Sequence, residues 1–230
     1  MNNFKDMLMG SKQARGAFGE RQMEDIVADV MPPESFDFQK MLSNGSKPDC
    51  VIRLPYPPGD MVIDSKFPLE WYVRYMETKS EGDRKQFDLS VRKHIDDISS
   101  KYVIAGETAE SAMMFIAAES IFEIIHRELP GAVDYAARQK VFLVSPATLW
   151  ATLHTIRAVL SDIKIKRVAG KIKKELEMLL SDLARLSDRA GKVSSHFGLA
   201  QNDLEQLQTS IAKITPRAEK IRELEFGDNE

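Results

Sequence analysis

The chain predicts an α/β fold, a mixed sheet flanked by helices, with a long coiled-coil-like helical region behind it. Three observations predict it. The runs Asp49-Cys50-Val51-Ile52-Arg53-Leu54 and Asp60-Met61-Val62-Ile63-Asp64 flank Pro55-Tyr56-Pro57-Pro58-Gly59, where proline fixes φ and glycine permits the return of a hairpin. Met113-Met114-Phe115-Ile116-Ala117 and Lys140-Val141-Phe142-Leu143-Val144 are short, continuous and apolar, as strands buried on both faces are. From Ile165 onward apolar residues recur at spacings of three and four, which predicts one long helix or two in tandem. The chain therefore divides into a sheet domain over 1–160 and a helical extension over 161–230.

Each element follows from local pattern. Residues 4 to about 30 carry Ala14, Phe18, Met23, Ile26, Val27 and Val30 at helical spacing, and Met31-Pro32-Pro33 ends the run. Gly16 and Gly19 would let this helix approach the sheet closely. Glu20 sits mid-helix, as a solvent-facing acid or as a third carboxylate of a site. Phe36-Asp37-Phe38-Gln39 reads as a short edge strand and Ser43-Asn44-Gly45-Ser46 as a turn. After the hairpin, Pro68 starts a helix from Leu69 to about Lys79, and Arg84 to about Ala105 reads as a surface helix crossing the sheet. Glu119, directly after the first buried run, lies near a site or caps the next helix. Pro130-Gly131 splits two short helices, Phe122 to Leu129 and Ala132 to Arg138. Ser145 and Pro146 open a helix as N-cap and first residue; Ser145 and Thr148 serve as that cap or contact a phosphate. Pro216 is expected to end the long helix.

Bulk composition narrows the function classes. The 230 residues are 43% hydrophobic and 29% charged, with a formal net charge of −3, so general electrostatic attraction to DNA is not on offer. The lone Cys50 excludes an intrachain disulfide, and no Cys/His spacing suits structural zinc. No apolar run approaches the ~18 residues of a membrane span, so a cytoplasmic protein without membrane contact is expected. His94, His126, His154 and His196 are scattered and read as structural or exposed. Neither a Gly-rich phosphate loop nor a nucleophile motif is present.

The chemistry concentrates between Lys47 and Lys66. Side chains alternate along a strand at roughly 3.3 Å per residue, so Asp64 and Lys66 share a face about 6–7 Å apart, and Asp49 on the facing strand reaches that face. Hard carboxylate oxygens of this kind suit Mg²⁺ or Mn²⁺, and a lysine beside such an ion can hold or help deprotonate an attacking water. Pro48-Asp49, fourteen residues, then Asp64-Ser65-Lys66 resembles the PD-(D/E)xK nuclease signature and, with it, a restriction-endonuclease-like core.

Arg15-Gly16-Ala17-Phe18-Gly19-Glu20, Ile63-Asp64-Ser65-Lys66-Phe67-Pro68-Leu69 and Val144-Ser145-Pro146-Ala147-Thr148-Leu149, in this order, resemble the RmuC family of bacterial DNA-recombination proteins from about Gly16 to Leu224. The resemblance implies a PD-(D/E)xK-like core and a role in DNA recombination that limits rearrangement at inverted repeats. It implies that Glu20, Asp49 and Asp64 bind the metal, helped by the Ser65 carbonyl, and that Lys66 positions water. Many nucleases of this superfamily carry a glutamine or basic residue on the helix after the lysine strand; here Glu70 and Arg74 are the candidates. Family members often have an N-terminal membrane anchor and a coiled coil ahead of the part matched.

Lys164, Lys166, Arg167, Lys171, Lys173 and Lys174 put six basic residues in eleven, as a solvated helix face or a DNA contact. Lys12, Arg15 and Arg21 are further candidates for holding phosphates. The apolar stripe beyond Ile165 needs a partner, the preceding helix or a second copy of the chain. Two function classes follow: a Mg²⁺- or Mn²⁺-dependent DNA nuclease-like domain acting on recombination intermediates, or a catalytically idle DNA-associated factor that oligomerises or recruits partners through its long helix. A purely protein-binding scaffold is the third.

Overall fold

The structure, a computed structural model, describes residues 12–226, with side chains described over 16–222. Five strands, β1 (Phe36–Phe38), β2 (Cys50–Ile52), β3 (Asp60–Ser65), β4 (Thr108–Phe115) and β5 (Val141–Val144), stand side by side in chain order. β1, β2 and β3 pair antiparallel, whereas β3, β4 and β5 pair parallel. Short connections suffice for the first kind of pairing, and the second requires crossover helices. These are α2 (Leu69–Thr78) and α3 (Glu81–Tyr102) before β4, then α4 (Glu119–Glu128) and α5 (Pro130–Arg138) before β5. α1 (Lys12–Val30) precedes the sheet and α6 (Pro146–Phe226) follows it.

The period of two along each strand sends side chains to two separate cores. Val51, Val62, Ala112, Met114 and Val141 pack on one face against α2 to α5, with Phe87, Val91, Ile95 and Ile98 of α3 fully buried there. Cys50, Ile52, Ile63, Met113, Phe115 and Val144 pack on the other against Met23, Val27 and Val30 of α1 and Leu149 and Leu153 of α6. The sheet is thus covered on both sides.

Three expectations about elements are revised. β4 begins at Thr108, five residues ahead of the apolar run, because pairing with β3 starts at Asp60↔Thr108 and resumes in register at Val62↔Ala112 after an irregularity. α3 occupies Glu81–Tyr102 with Ser80 as its N-cap, the hydroxyl accepting from the Asp83 N–H at 3.1 Å. Pro216 lies inside α6 rather than ending it. A single proline removes one ladder bond and kinks a helix without forbidding its continuation, and the apolar stripe runs on through it from Ile214 to Ile221.

The described residues form two compact units that meet between Ile163 and Lys164. In the second, α6 is exposed throughout its described side chains, including Leu176, Leu179, Leu183 and Leu186. Among the described residues no helix is long and apolar enough to cross a membrane.

Candidate active site

The β2–β3 register places the acids. Cys50 faces Ile63 and Val51 faces Val62, so one step further Asp49 stands opposite Asp64, and directly opposed antiparallel residues share a face. Asp49 is 9% exposed and Asp64 2%. Gly59, at φ +91° with the Glu107 carbonyl oxygen 3.0 Å from where a Cβ would sit, closes the loop that sets this register; only glycine suits that conformation. Two buried carboxylates at close range are costly unless hydrogen-bonded or paired, and each is held.

Asp49 Oδ2 accepts from the Ser65 backbone N–H at 2.7 Å and Oδ1 from Gln39 Nε2 at 3.2 Å. Gln39 leaves β1 at φ +53°, and its own backbone N–H donates to the Asp49 carbonyl at 3.1 Å. Asp64 Oδ2 accepts from Lys66 Nζ in a close ion pair. Lys66 is itself fixed on the sheet, its N–H donating to the Phe115 carbonyl at 2.9 Å.

Burial pushes the Asp49 carboxyl up to about 6. The Asp64 charge adds to the rise, the Ser65 N–H and Lys66 oppose it, and Glu20 raises it further. Tyr102, at the end of α3, has its phenol pushed above the ordinary range by burial and then by Asp64.

α1 brings Glu20 near enough to Asp49 for its charge to act on that carboxyl. Gly19 is buried, and a Cβ on it would sit 2.7 Å from Ser65 Oγ and 3.4 Å from the Ala117 Cβ, so the absent side chain is what lets α1 lie against β3. At Gly16 the same construction meets nothing within 4 Å, and the expected close approach is confined to Gly19. Glu20 then lines, with Ser65 and Lys66, a cleft of about 660 Å³ at the carboxyl end of β3. Ligands of open α/β sheets characteristically bind outside the carboxyl ends of the strands.

The remaining candidates separate. Glu119 Oε1 accepts from the Ala147 N–H at 2.8 Å, which makes it an acceptor for the first turn of α6. Ser145 and Thr148 form a reciprocal capping box: Ser145 N–H donates to Thr148 Oγ1 at 2.7 Å, and Thr148 N–H to Ser145 Oγ at 3.3 Å. Arg21 is exposed on α1, and Lys164, Lys166, Arg167 and Lys171 are exposed on α6 in the second unit. The side chains of Lys12 and Arg15 lie outside the described ones. Glu70 and Arg74, on the helix after the lysine strand, are exposed and 3.9 Å from each other.

Among the described residues no three carboxylate, imidazole or thiolate groups converge to enclose a metal ion. The donor set that is present, two facing aspartates beside a cleft-lining glutamate, still fits Mg²⁺ or Mn²⁺, since Mg²⁺ typically takes one or two carboxylates and fills its shell with water and substrate oxygens. Sequence reasoning missed Gln39 and Tyr102, which brace the two aspartates, and a polar face of α3 that lines the cleft. The α3 face had a signal: Gln86, Ser90, Lys93, His94 and Asp97 recur at helical spacing beside the apolar stripe.

The chain is similar to the DNA recombination protein RmuC homolog of Vibrio cholerae, 26% identical over 243 residues covering 97% of this chain and 45% of that protein. It is 28% identical to the homolog of Chlamydia muridarum over 224 residues, 94% of this chain and 52% of that protein. It is 24% identical to the DNA recombination protein RmuC of Escherichia coli over 215 residues, 85% of this chain and 45% of that protein. The chain thus spans about half the length of the curated relatives it matches. No solved structure matches it. The profile of the RmuC family matches residues 1–230, the whole length, and the chain belongs to that family.

Proposed function

We propose that this chain is the DNA-processing part of an RmuC-type recombination protein, a Mg²⁺- or Mn²⁺-dependent DNA nuclease-like domain acting on recombination intermediates. The recombination role is carried over from the relatives, whose names state it. The observation that supports the chemistry is the placement of Asp49 opposite Asp64, with Lys66 two residues beyond and in contact with it.

Asp49 and Asp64 would hold the ion, with Glu20 and the Ser65 carbonyl beside them. A bound divalent ion neutralises phosphate charge and makes a coordinated water a stronger nucleophile. Three carboxylates against one ammonium leave an excess of negative charge, which adds to burial in raising the Asp49 carboxyl. With an ion held there, Asp64 would be shared between it and Lys66, and the Lys66 ammonium would be freer to turn to substrate. Lys66 can then hold the attacking water or meet a phosphate oxygen, close to the path of the reaction because its backbone is pinned to β4. Buried aspartates braced by Gln39, Ser65 and Tyr102 need little reorganisation, which is where electrostatic catalysis gains most.

The test is Mn²⁺ titration into wild type and Asp64→Ala while following cleavage of linear and branched DNA. Metal-dependent cleavage by wild type alone supports the reading. Equal cleavage by both proteins, or no metal binding by either, removes it.

A second reading, a catalytically idle DNA-associated factor, draws on the uncovered apolar stripe of α6 in the second unit. A homo-oligomer that binds DNA without divalent metal and never cuts it is the outcome that would select it.

A further inference from the structure

The cleft beside Lys66 has a wall that the proposed chemistry leaves unused. α3 buries Phe87, Val91, Ile95 and Ile98 in the core and turns Gln86, Ser90, Lys93, His94 and Asp97 to the cleft. These positions, spaced by four, three, one and three, fall on one helix face. At 1.5 Å per residue they extend over roughly 16 Å, room for more than one phosphate. Four of the five can donate hydrogen bonds; the carboxylates lining the cleft are Asp97 on this helix and Glu20 and Glu70 outside it. Lys93 is exposed and forms no ion pair among the described residues.

His94 is the unusual member. Its Nδ1 is buried with no hydrogen-bond partner among the described residues. Burial, and then the Lys66 ammonium, hold the imidazole below its ordinary value, so the ring is neutral at pH 7 and carries one N–H. A buried donor without an acceptor is costlier than a bare acceptor, which favours the tautomer with its proton on Nε2. His94 lines the cleft together with Lys66 and Lys93, where a ring N–H suits a phosphate oxygen.

Trp71 lines the same cleft, with the Arg74 guanidinium 4.9 Å from its ring centroid. An indole backed by a cation is a platform for an unpaired base. The volume, about 660 Å³, is that of a cleft for small ligands and suits a short stretch of one strand.

We propose that this cleft binds a single strand of DNA, its phosphates along Ser90, Lys93 and His94 and one unstacked base on Trp71. The proposal rests on the DNA-processing reading and adds the form of the substrate: a single-stranded end or branch.

The experiment uses the full chain in EDTA, so that cleavage plays no part. Binding of a fluorescein-labelled oligothymidine and of a duplex of equal length is followed by anisotropy across a salt series, with thermal melts confirming that each variant is folded. The oligothymidine is expected to bind more tightly than the duplex, and Lys93→Ala to lower the slope of log affinity against log salt by about 0.7. His94→Ala weakens oligothymidine binding and His94→Gln, which keeps a donor, restores part of it. In a Trp150→Phe background the remaining tryptophan is Trp71; its fluorescence is quenched on binding, and Trp71→Ala costs about tenfold in affinity. Duplex binding as tight as oligothymidine binding, unchanged oligothymidine affinity in Ser90→Ala, Lys93→Ala and His94→Ala alike, or no quenching overturns the proposal. Binding through α3 by a protein that never cuts DNA supports it while removing the nuclease reading. Metal-dependent cleavage by a protein whose α3 variants bind like wild type removes this proposal alone.

Discussion

Asp49 Oδ2 accepts the Ser65 backbone N–H at 2.7 Å, so the acid ahead of β2 is tied to the end of β3, in line with Asp64 and Lys66. The tie fixes a carboxylate where burial and a second carboxylate both disfavour its charge. Four predictions follow from this and neighbouring contacts.

Asp49 makes the fold sensitive to pH. Its carboxyl is raised from 3.8 to about 6, so between those values the folded chain holds a proton that the unfolded chain has released. Stability falls as pH rises through that window, by about 3 kcal/mol once Asp49 is fully ionised. Asp49→Asn retains an acceptor for the Ser65 N–H and is expected to stabilise the protein by up to that amount at pH 7.5, with little effect at pH 4. Urea unfolding in EDTA across this range measures both.

Divalent metal should reverse that cost. A ligand that binds only the folded state adds about 2.7 kcal/mol at a hundredfold excess over its Kd. Mn²⁺ is expected to raise the Tm of wild type at pH 7.5 and to leave Asp64→Ala and Asp49→Asn unmoved. A shift of equal size in all three would place the ion elsewhere.

Two glycines on one helix should respond in opposite directions. Gly19→Ala puts a methyl 2.7 Å from Ser65 Oγ and should destabilise by about 1–3 kcal/mol, the usual range for overpacking. Gly16→Ala meets nothing within 4 Å and should stabilise by about 0.5–1 kcal/mol through helix propensity. In cleavage assays Gly19→Ala is expected to lose activity beyond its stability loss, because α1 carries Glu20 one residue further on.

The start of α6 should behave as structure. Ser145→Ala removes one half of the capping box and is expected to cost about 1 kcal/mol in thermal unfolding. DNA affinity of the folded variant should equal that of wild type, which separates a cap from a phosphate ligand.

The hairpin and its acids were legible because a period of two and a turn rich in proline and glycine fix which side chains share a face. The opposition of Asp49 and Asp64 needed only that register. Gln39 reads from sequence as the end of an edge strand, and its positive φ, which turns it toward Asp49, has no local signal in a glutamine. The stripe from Gln86 to Asp97 was visible as spacing, yet a polar helix face reads as solvated until something is known to lie across from it. Pro216 reads as a stop because proline opposes helix, while the apolar period continuing beyond it argues for passage. Glu119 sat next to a strand end, and only the fold reveals that the first turn of α6 comes to meet it.

Since β1 to β5 lie in the sequence in which they are made, each strand docks on the growing edge and none has to be wedged between two already placed. A chain leaving the ribosome N-terminus first can therefore enlarge this sheet by accretion, with both opposing aspartates already synthesised before the first crossover helix.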